Sequence, residues 1–237
     1  GFWLVMQPWE YGAIPKAWVE PLRNHIDEIW AYTNFVRESY IRCGIQAEKI
    51  FVIPCGINPQ KFHPNVQKAE LATKKKFKFL FVGGTIMRKG PDVLLGSFLR
   101  LFSHSDDVCL VIKDFGNKEV YQGQTIDELI RDAQSKPGAP EILYLTDDWP
   151  PEQLPGLYAA CDCLVHPYRG EGFALPVLEA MAVGLPVIVT AGGSTDDFAV
   201  EGCAYRIPAK RAEVPNWGGP ELVAQPTWLE PDPAALD

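Results

Sequence analysis

The sequence lacks several features that would define a class of protein at once. It has no run of about 18 apolar residues, which a membrane-spanning helix needs, and no recognisable signal peptide. None of its six cysteines forms a C-x-x-C pair, so a zinc site is not indicated. Basic residues are few, with 22 Lys and Arg against 30 Asp and Glu. The resulting net charge of −8 is a poor composition for binding nucleic acid.

The composition that is present is typical of a globular protein. The chain is 47% hydrophobic and 22% charged over 237 residues, enough for one or two domains. Thiols without partners favour a reducing, cytoplasmic compartment, where we expect them to be free and mostly buried. The chain opens with the strand-like G-F-W-L-V-M-Q and closes with P-D-P-A-A-L-D, which suits the start of a helix. We expect a piece of a longer protein, cut at both ends.

Apolar runs of strand length alternate with amphipathic stretches of helix length. In the first part, the pattern predicts strands at 2–6, 28–32 and 50–53 and helices at 15–25 and 34–43. We assign residues 1–62 to a truncated α/β domain. P-C-G-I-N-P-Q-K-F-H-P is rich in turn formers and a polar stretch to Lys76 follows it, so we assign residues 63–76 to a linker. Lys74 to Lys76, with Lys78, could contact an anionic surface, but a solvated linker is the simpler interpretation.

The second series begins at residue 77. It predicts strands at 77–82, 108–112, 142–146, 163–166 and 186–190 and helices at 91–103, 124–135, 151–160 and 176–183. Near-continuous apolar strands separated by helices are typical of a parallel sheet covered on both faces. We therefore expect residues 77–237 to form a doubly wound, Rossmann-like domain, truncated near its end, whose ligands bind at the carboxyl ends of the strands.

Two loops at that edge carry charged residues. G-G-T-I-M-R-K-G, from Gly83 to Gly90, places Arg88 and Lys89 just before a helix, where amide groups also favour anions. This suits a diphosphate, although it matches neither the P-loop nor the dinucleotide fingerprint, and a solvated basic turn would look the same.

The second loop, H-P-Y-R-G-E-G-F-A-L-P, follows the strand at 163–166. The amides of Gly172, Phe173 and Ala174 precede a helix and can face a phosphate or a sugar oxygen. Glu171 can accept hydrogen bonds from hydroxyl groups, and Glu179 can bind two vicinal hydroxyls such as those of a ribose. Alternatively, Glu179 is only a carboxylate that the helix dipole favours.

The stretch H-P-Y-R-G-E-G-F-A-L-P-V-L-E-A-M-A-V-G-L-P-V-I-V-T resembles the E-x7-E region of family 4 retaining glycosyltransferases, which have the GT-B fold. I-F-V-I-P-C-G-I-N-P-Q-K-F-H-P resembles the interdomain segment of that family. F-L-F-V-G-G-T-I-M-R-K-G-P-D-V-L-L resembles the first strand, loop and helix of its C-terminal domain. The order and spacing of these blocks agree over residues 30–205.

The resemblance implies an enzyme that binds a nucleotide-diphosphate-sugar donor mainly on its C-terminal domain. Lys89 and Arg88 would hold the diphosphate, Glu171 the sugar hydroxyls and Glu179 the ribose, and the first three form the expected catalytic set. The expected donor-binding set is Gly83, Gly84, Arg88, Lys89, Thr146, Glu171, Gly172, Phe173, Ala174, Leu175 and Glu179. The family usually has an arginine where this chain has Gly84, and whether Arg88 replaces that charge stays open.

The resemblance further implies transfer of a hexose with retention of configuration, without a metal or another cofactor. The acceptor would be a sugar, a glycan or a lipid-linked molecule, with at most peripheral membrane contact, and Glu10 is a candidate acceptor-side or structural residue. The isolated fragment would bind nucleotide with little turnover. Two alternatives are a non-catalytic donor-binding descendant and another GT-B enzyme such as a sugar-nucleotide epimerase.

Overall fold

The computed structural model of the chain describes residues 1–116 and 120–237. These residues form a three-stranded sheet of order β1-β2-β3, a six-stranded sheet of order β6-β5-β4-β7-β8-β9, and a two-stranded ribbon of β10 and β11. Both larger sheets are parallel throughout. Within the described ranges, no helix combines the length and the apolar character that crossing a membrane requires.

The first unit alternates strands and helices, as the sequence pattern predicts. Its elements are β1 Leu4–Val5, α1 Lys16–Asn24, β2 Glu28–Ala31, α2 Asn34–Arg42 and β3 Ile50–Val52. The prediction of a strand over 2–6 was too long, because only Leu4 and Val5 pair with β2. The Thr33 side chain caps α2 by accepting from the amide of Val36. The core of this unit also contains Leu222, which comes from the end of the chain.

The second unit is the doubly wound domain that the apolar runs predict. Its elements are β4 Phe77–Val82, α3 Pro91–Leu101, β5 Val108–Lys113, α4 Asp127–Ser135, β6 Glu141–Leu145, α5 Leu154–Ala159, β7 Cys163–His166, α6 Leu175–Ala182, β8 Val187–Thr190 and β9 Tyr205–Ile207. Along β4, Leu80 and Val82 belong to one buried cluster and Phe81 to another. Helices therefore cover both faces of the sheet.

Some predicted boundaries were wrong by a few residues. Helices α4 and α5 each begin three residues later than predicted, at Asp127 and Leu154. Before α4, the Thr125 hydroxyl donates to the Asp127 carboxylate, which forms a polar turn instead of a helical one. The cysteines agree with the prediction, since all six are free and Cys43, Cys109, Cys161 and Cys163 are buried.

The sequence pattern predicts no element between residue 190 and the start of a helix at the end of the chain. The structure adds β9 and an antiparallel ribbon there, of β10 Ala209–Glu213 and β11 Thr227–Pro231, before α7 Pro233–Leu236. The ribbon and the loop between its strands join the two units through backbone hydrogen bonds from Gly12 N to Thr227 O (3.0 Å) and from Val223 N to Ile14 O (2.9 Å). They therefore position the two units relative to each other.

Candidate active site

The two predicted loops meet at the carboxyl ends of β4 and β7, which are neighbouring strands. Lys89 Nζ lies 2.6 Å from Glu171 Oε1, and Arg88 Nη1 lies 3.6 Å from Glu171 Oε2. Both cations and the carboxylate are largely buried, with side-chain exposures of 13% for Lys89, 11% for Arg88 and 9% for Glu171. The structure therefore brings together the three residues that the sequence predicts as the catalytic set.

His166, at the end of β7, also contacts Glu171. Its Nε2 lies 3.1 Å from Glu171 Oε1, and its ring stacks on Phe81 with centroids 5.6 Å apart. Burial lowers the pKa of His166 more than the neighbouring Glu171 raises it, so the imidazole is neutral at pH 7. Because a carboxylate only accepts, the neutral ring carries its proton on Nε2. His166 is not among the site residues that the sequence predicts.

The charge of Glu171 follows from its neighbours. Burial by itself would raise the pKa of this carboxyl group. The Lys89 ammonium, the His166 hydrogen bond and the Arg88 guanidinium outweigh burial and hold the pKa of Glu171 well below its usual range. Glu171 is therefore ionised at neutral pH and accepts hydrogen bonds only.

Arg88 connects the cluster to the first unit. It donates from Nη1 to the carbonyl of Gly170 (2.6 Å), and its Nη2 lies 3.6 Å from Glu10 Oε1. Burial lowers the pKa of Arg88, but Glu171 and Glu10 raise it further, so the net shift is upward. The cluster thus holds two cations and two carboxylates, and one of the carboxylates, Glu10, comes from the first unit.

The backbones of the two units approach closely beside this cluster. A β carbon built on Gly170 would lie 2.5 Å from the carbonyl oxygen of Glu10, closer than any real contact. The Thr33 hydroxyl donates to the carbonyl of Gly172 over 3.1 Å. Glycine at position 170 is therefore what lets the loop before α1 lie directly on the loop that carries Glu171.

The amides of Gly172, Phe173 and Ala174 lie before α6, as predicted, with Ala174 as its N-cap. Ala174 has φ 72°, a left-handed conformation that is uncommon for a residue with a β carbon. Leu175 is the first residue of α6 and is 42% exposed. These three residues therefore form a buried turn with one left-handed residue, which lies before α6 at the same end of the sheet as Lys89.

Glu179 lies in the second turn of α6 and forms a separate pair. Its Oε2 accepts a hydrogen bond of 2.6 Å from the hydroxyl of Tyr158, on α5. Burial raises the pKa of Glu179 above its usual value, against the opposite effect of the Tyr158 hydrogen bond. Burial also raises the pKa of Tyr158 well above its usual value, so the phenol keeps its proton and orients the carboxylate. Tyr158 was not predicted as a site residue.

Thr146 and Gly83 occupy different parts of this edge. Gly83 directly follows β4, and a β carbon there would lie 3.2 Å from Cδ of Lys89. Thr146 follows β6, which β5 separates from β4 in the sheet. Thr146 is half-buried and lies beside Asp147, whose carbonyl accepts a hydrogen bond of 2.8 Å from the buried Lys113. Gly83 therefore lies beside Lys89, whereas Thr146 lies two strands away, at the carboxyl end of β6.

Gly84 lies against an aromatic ring. A β carbon at this position would lie 2.4 Å from Cδ2 of Tyr121 and 3.1 Å from the carbonyl oxygen of Phe115. An arginine side chain would need the space that the Tyr121 ring fills. Gly84 therefore leaves room for the ring of Tyr121, which is distant in sequence. The sequence pattern does not reveal this contact.

The two parallel α/β units have the GT-B fold, which a solved glycosyltransferase, WaaG, shares. A family model described as "Glycosyl transferases group 1" matches residues 63–213. The chain belongs to this family.

Curated relatives are similar over part of their length. The chain is 31% identical over 160 residues to D-inositol 3-phosphate glycosyltransferase of Corynebacterium jeikeium (strain K411), which covers 65% of this chain and 38% of that protein. It is 30% identical over 158 residues to lipopolysaccharide core biosynthesis mannosyltransferase LpsB of Rhizobium meliloti (strain 1021), over 64% of this chain and 43% of that protein. The chain therefore spans about two fifths of the length of these relatives.

Solved structures share the fold at low identity. The crystal structure of Anabaena Alr3699/HepE in complex with UDP and glucose superposes with a TM-score of 0.58 at 20% identity, over 77% of this chain and 49% of that one. Sucrose-phosphate synthase (tll1590) from Thermosynechococcus elongatus gives a TM-score of 0.59 at 21% identity, over 80% and 47%. At these identities the likeness establishes the fold alone.

Proposed function

We propose that the chain is the donor-binding part of a retaining glycosyltransferase, which moves a hexose from a nucleotide-diphosphate-sugar to a sugar, glycan or lipid-linked acceptor. The observation that carries this proposal is the convergence of Lys89 and Arg88 on Glu171. Two buried cations beside a turn of backbone amides suit a diphosphate, and an ionised carboxylate suits the hydroxyls of a sugar.

The roles follow from chemistry at this edge. When the bond between the sugar carbon and the phosphate oxygen breaks, its electron pair stays on the phosphate, and Lys89 and Arg88 stabilise that growing negative charge. The acceptor hydroxyl oxygen bonds to the sugar carbon and passes its proton to the departing phosphate oxygen. Two protein cations supply the charge that a divalent metal would otherwise supply, so we propose that transfer needs no metal.

Glu179 is proposed to bind the ribose of the donor. The Tyr158 hydroxyl fixes one of its carboxylate oxygens over 2.6 Å. A carboxylate has two oxygens and about four acceptor positions, so the group can also accept from vicinal hydroxyls. Glu171 would accept from the sugar, and the Gly172 to Ala174 turn would donate to phosphate oxygens. Glu10, which we place on the acceptor side, lies 3.6 Å from the Arg88 guanidinium.

Nucleotide binding by this chain tests the proposal directly. In a thermal-shift assay with UDP, GDP and ADP in the presence of EDTA, we expect one of them to raise the melting temperature. A ligand at 100 times its Kd stabilises a protein by about 2.7 kcal/mol. Lys89→Met and Glu179→Gln should lose most of this shift. Lys136→Met, which removes an exposed ion pair with Asp132 at the end of α4, is the matched control and should keep the shift.

Two results would count against the proposal. One is that no nucleoside diphosphate shifts the melting temperature; the other is that Glu179→Gln binds as tightly as the wild type. Retention is tested on a full-length protein that contains this chain, by NMR of the product anomer. An inverted anomer would contradict that part of the proposal, and nucleotide binding without any transfer would favour a non-catalytic descendant.

A further inference from the structure

Arg169 is a buried arginine two residues before Glu171, and it is 5% exposed. Its Nη1 and Nη2 donate to the two carboxylate oxygens of Asp92 over 2.7 and 2.8 Å. Nη1 also donates to the carbonyl of Met87 over 2.7 Å. Asp92 lies in the first turn of α3, and Met87 begins the turn that carries Arg88 and Lys89. The guanidinium therefore holds both ends of the segment that contains the two cations.

The backbone of Arg169 reinforces this attachment. Its amide donates to the carbonyl of Arg88 over 2.7 Å, and the amide of Gly170 donates to the same carbonyl over 3.2 Å. The loop after β7 and the loop after β4 are thus joined by main chain as well as side chain. A displacement of residue 169 would move Arg88 and Lys89 relative to Glu171.

The third partner of Arg169 comes from the ribbon that joins the two units. Nε donates to Glu230, on β11, at 2.9 Å from each carboxylate oxygen. The guanidinium lies 5.1 Å from the centroid of the Trp228 ring, and the amide of Leu229 donates to the carbonyl of Arg169 over 2.8 Å. One arginine thereby links the ribbon, the loop after β7 and the loop after β4.

From this geometry we infer that Arg169 is a positioning residue, which fixes the Arg88–Lys89 turn against Glu171 and couples that turn to the ribbon. The inference deepens the proposed function and rests on it for the role of the two cations. The planar guanidinium with fixed donor directions suits this task, because it binds two carboxylates and a carbonyl at once. A lysine at this position would keep the positive charge but lose the planar set of N–H donors.

The test compares Arg169→Lys, Arg169→Gln and Glu230→Gln with Arg100→Gln. Arg100 lies on α3, the helix that also carries Asp92. Its side chain is 50% exposed and pairs with Asp237 at the surface. The first readout is the affinity of each folded variant for UDP, GDP and ADP by isothermal titration calorimetry. We expect Arg169→Lys to weaken binding about tenfold, the size of loss that misplaced supporting residues cause at functional sites. Arg100→Gln should bind like the wild type.

The second readout needs no ligand. The titration of the Glu171 carboxyl group, followed by NMR of glutamate-labelled protein, reports how closely Lys89 and Arg88 approach it. We expect the pKa of Glu171 to rise in Arg169→Lys and in Glu230→Gln and to stay unchanged in Arg100→Gln. A residue with only a structural role would lower the melting temperature and leave both readouts of the folded protein unchanged.

The outcomes separate the two proposals. If the wild type binds none of the nucleotides, the proposed function fails, and the Glu171 titration alone decides the role of Arg169. If Arg169→Lys and Glu230→Gln keep the wild-type titration of Glu171 and any wild-type affinity, the inference about Arg169 is wrong. If Arg169→Gln does not fold, the other two variants decide in the same way.

Discussion

The ring of Tyr121 lies directly over Gly84, at 2.4 Å from the position of a β carbon there. The two residues are complementary, since the glycine leaves room for the ring and the ring fills the place of a side chain. The guanidinium of Arg88 contacts Gly170, Glu171 and Glu10. Arg88 therefore supplies the second cation of the cluster, from a position four residues after Gly84.

This complementarity predicts a compensating pair of substitutions. Gly84→Arg should lower the free energy of unfolding by about 1–3 kcal/mol, the usual cost of overpacking a filled site. Gly84→Arg combined with Tyr121→Ala should regain most of that loss, because the ring no longer occupies the space. Urea unfolding of both variants and of Tyr121→Ala alone gives the coupling energy. Equal losses with and without Tyr121 would show that the ring does not limit position 84.

Glu10 and the diphosphate should compete for Arg88. The carboxylate of Glu10 lies 3.6 Å from the Arg88 guanidinium, with side-chain exposures of 27% and 11%. Glu10→Gln should therefore raise the affinity for a nucleoside diphosphate about two- to fivefold, because a partly exposed ion pair is worth up to about 1 kcal/mol. Isothermal titration calorimetry measures the change.

Glu221→Gln is the control for Glu10. It removes the carboxylate of the exposed Lys16–Glu221 pair, which also joins the two units, away from the cations. Its affinity should equal that of the wild type. Weaker or unchanged binding by Glu10→Gln would mean that Glu10 supports the site instead of competing for it.

His166 should make the protein less stable in mild acid. Its folded pKa is below the ordinary value of 6.5, so the unfolded chain takes up a proton that the folded imidazole refuses. Its contribution to stability is complete above pH 6.5 and is lost as the pH falls through the folded pKa. His166→Gln keeps a donor near Glu171 and does not titrate. Between pH 6.5 and 5, the free energy of unfolding of His166→Gln should fall less than that of the wild type. The difference should be about 1.4 kcal/mol for each unit by which the folded pKa of His166 lies below its ordinary value.

Urea unfolding at a series of pH values measures this difference. The window avoids Glu171, whose lowered pKa acts in the same direction but only below the ordinary glutamate value of 4.5. His25→Gln, at a histidine with a 65% exposed side chain, is the control and should follow the wild type. Parallel curves for His166→Gln and the wild type would contradict the prediction.

Much of the fold could be predicted because its strands are buried on both faces. F-K-F-L-F-V and V-C-L-V-I stand out as apolar runs, and β4 and β5 occupy those positions. The same reasoning does not predict the ribbon of β10 and β11. A-K-R-A-E has only two apolar residues, and its partner T-W-L-E-P lies beyond a loop rich in proline and glycine. Pairing across such a loop depends on contacts with Gly12 and Ile14, which are distant in sequence.

The candidate site was predictable to the extent that its residues lie in short motifs. Lys89 and Glu171 belong to two loops at adjacent strand ends, and the parallel topology alone brings them together. Arg169 stands in the same loop as Glu171, but its partners are 77 and 61 positions away. His166 looks like part of an apolar strand. Its role follows only from the 3.1 Å contact of a buried ring with a carboxylate.

Leu222 has a consequence for how the chain folds. It comes from the region after the six-stranded sheet, is 6% exposed, and packs in the core of the first unit with Ile14 and Ile29. A polypeptide cut within 63–76 would leave each half without apolar surface that it buries in the intact chain. We therefore expect the two sheets to unfold together, so that a cut at the predicted linker lowers the stability of both halves.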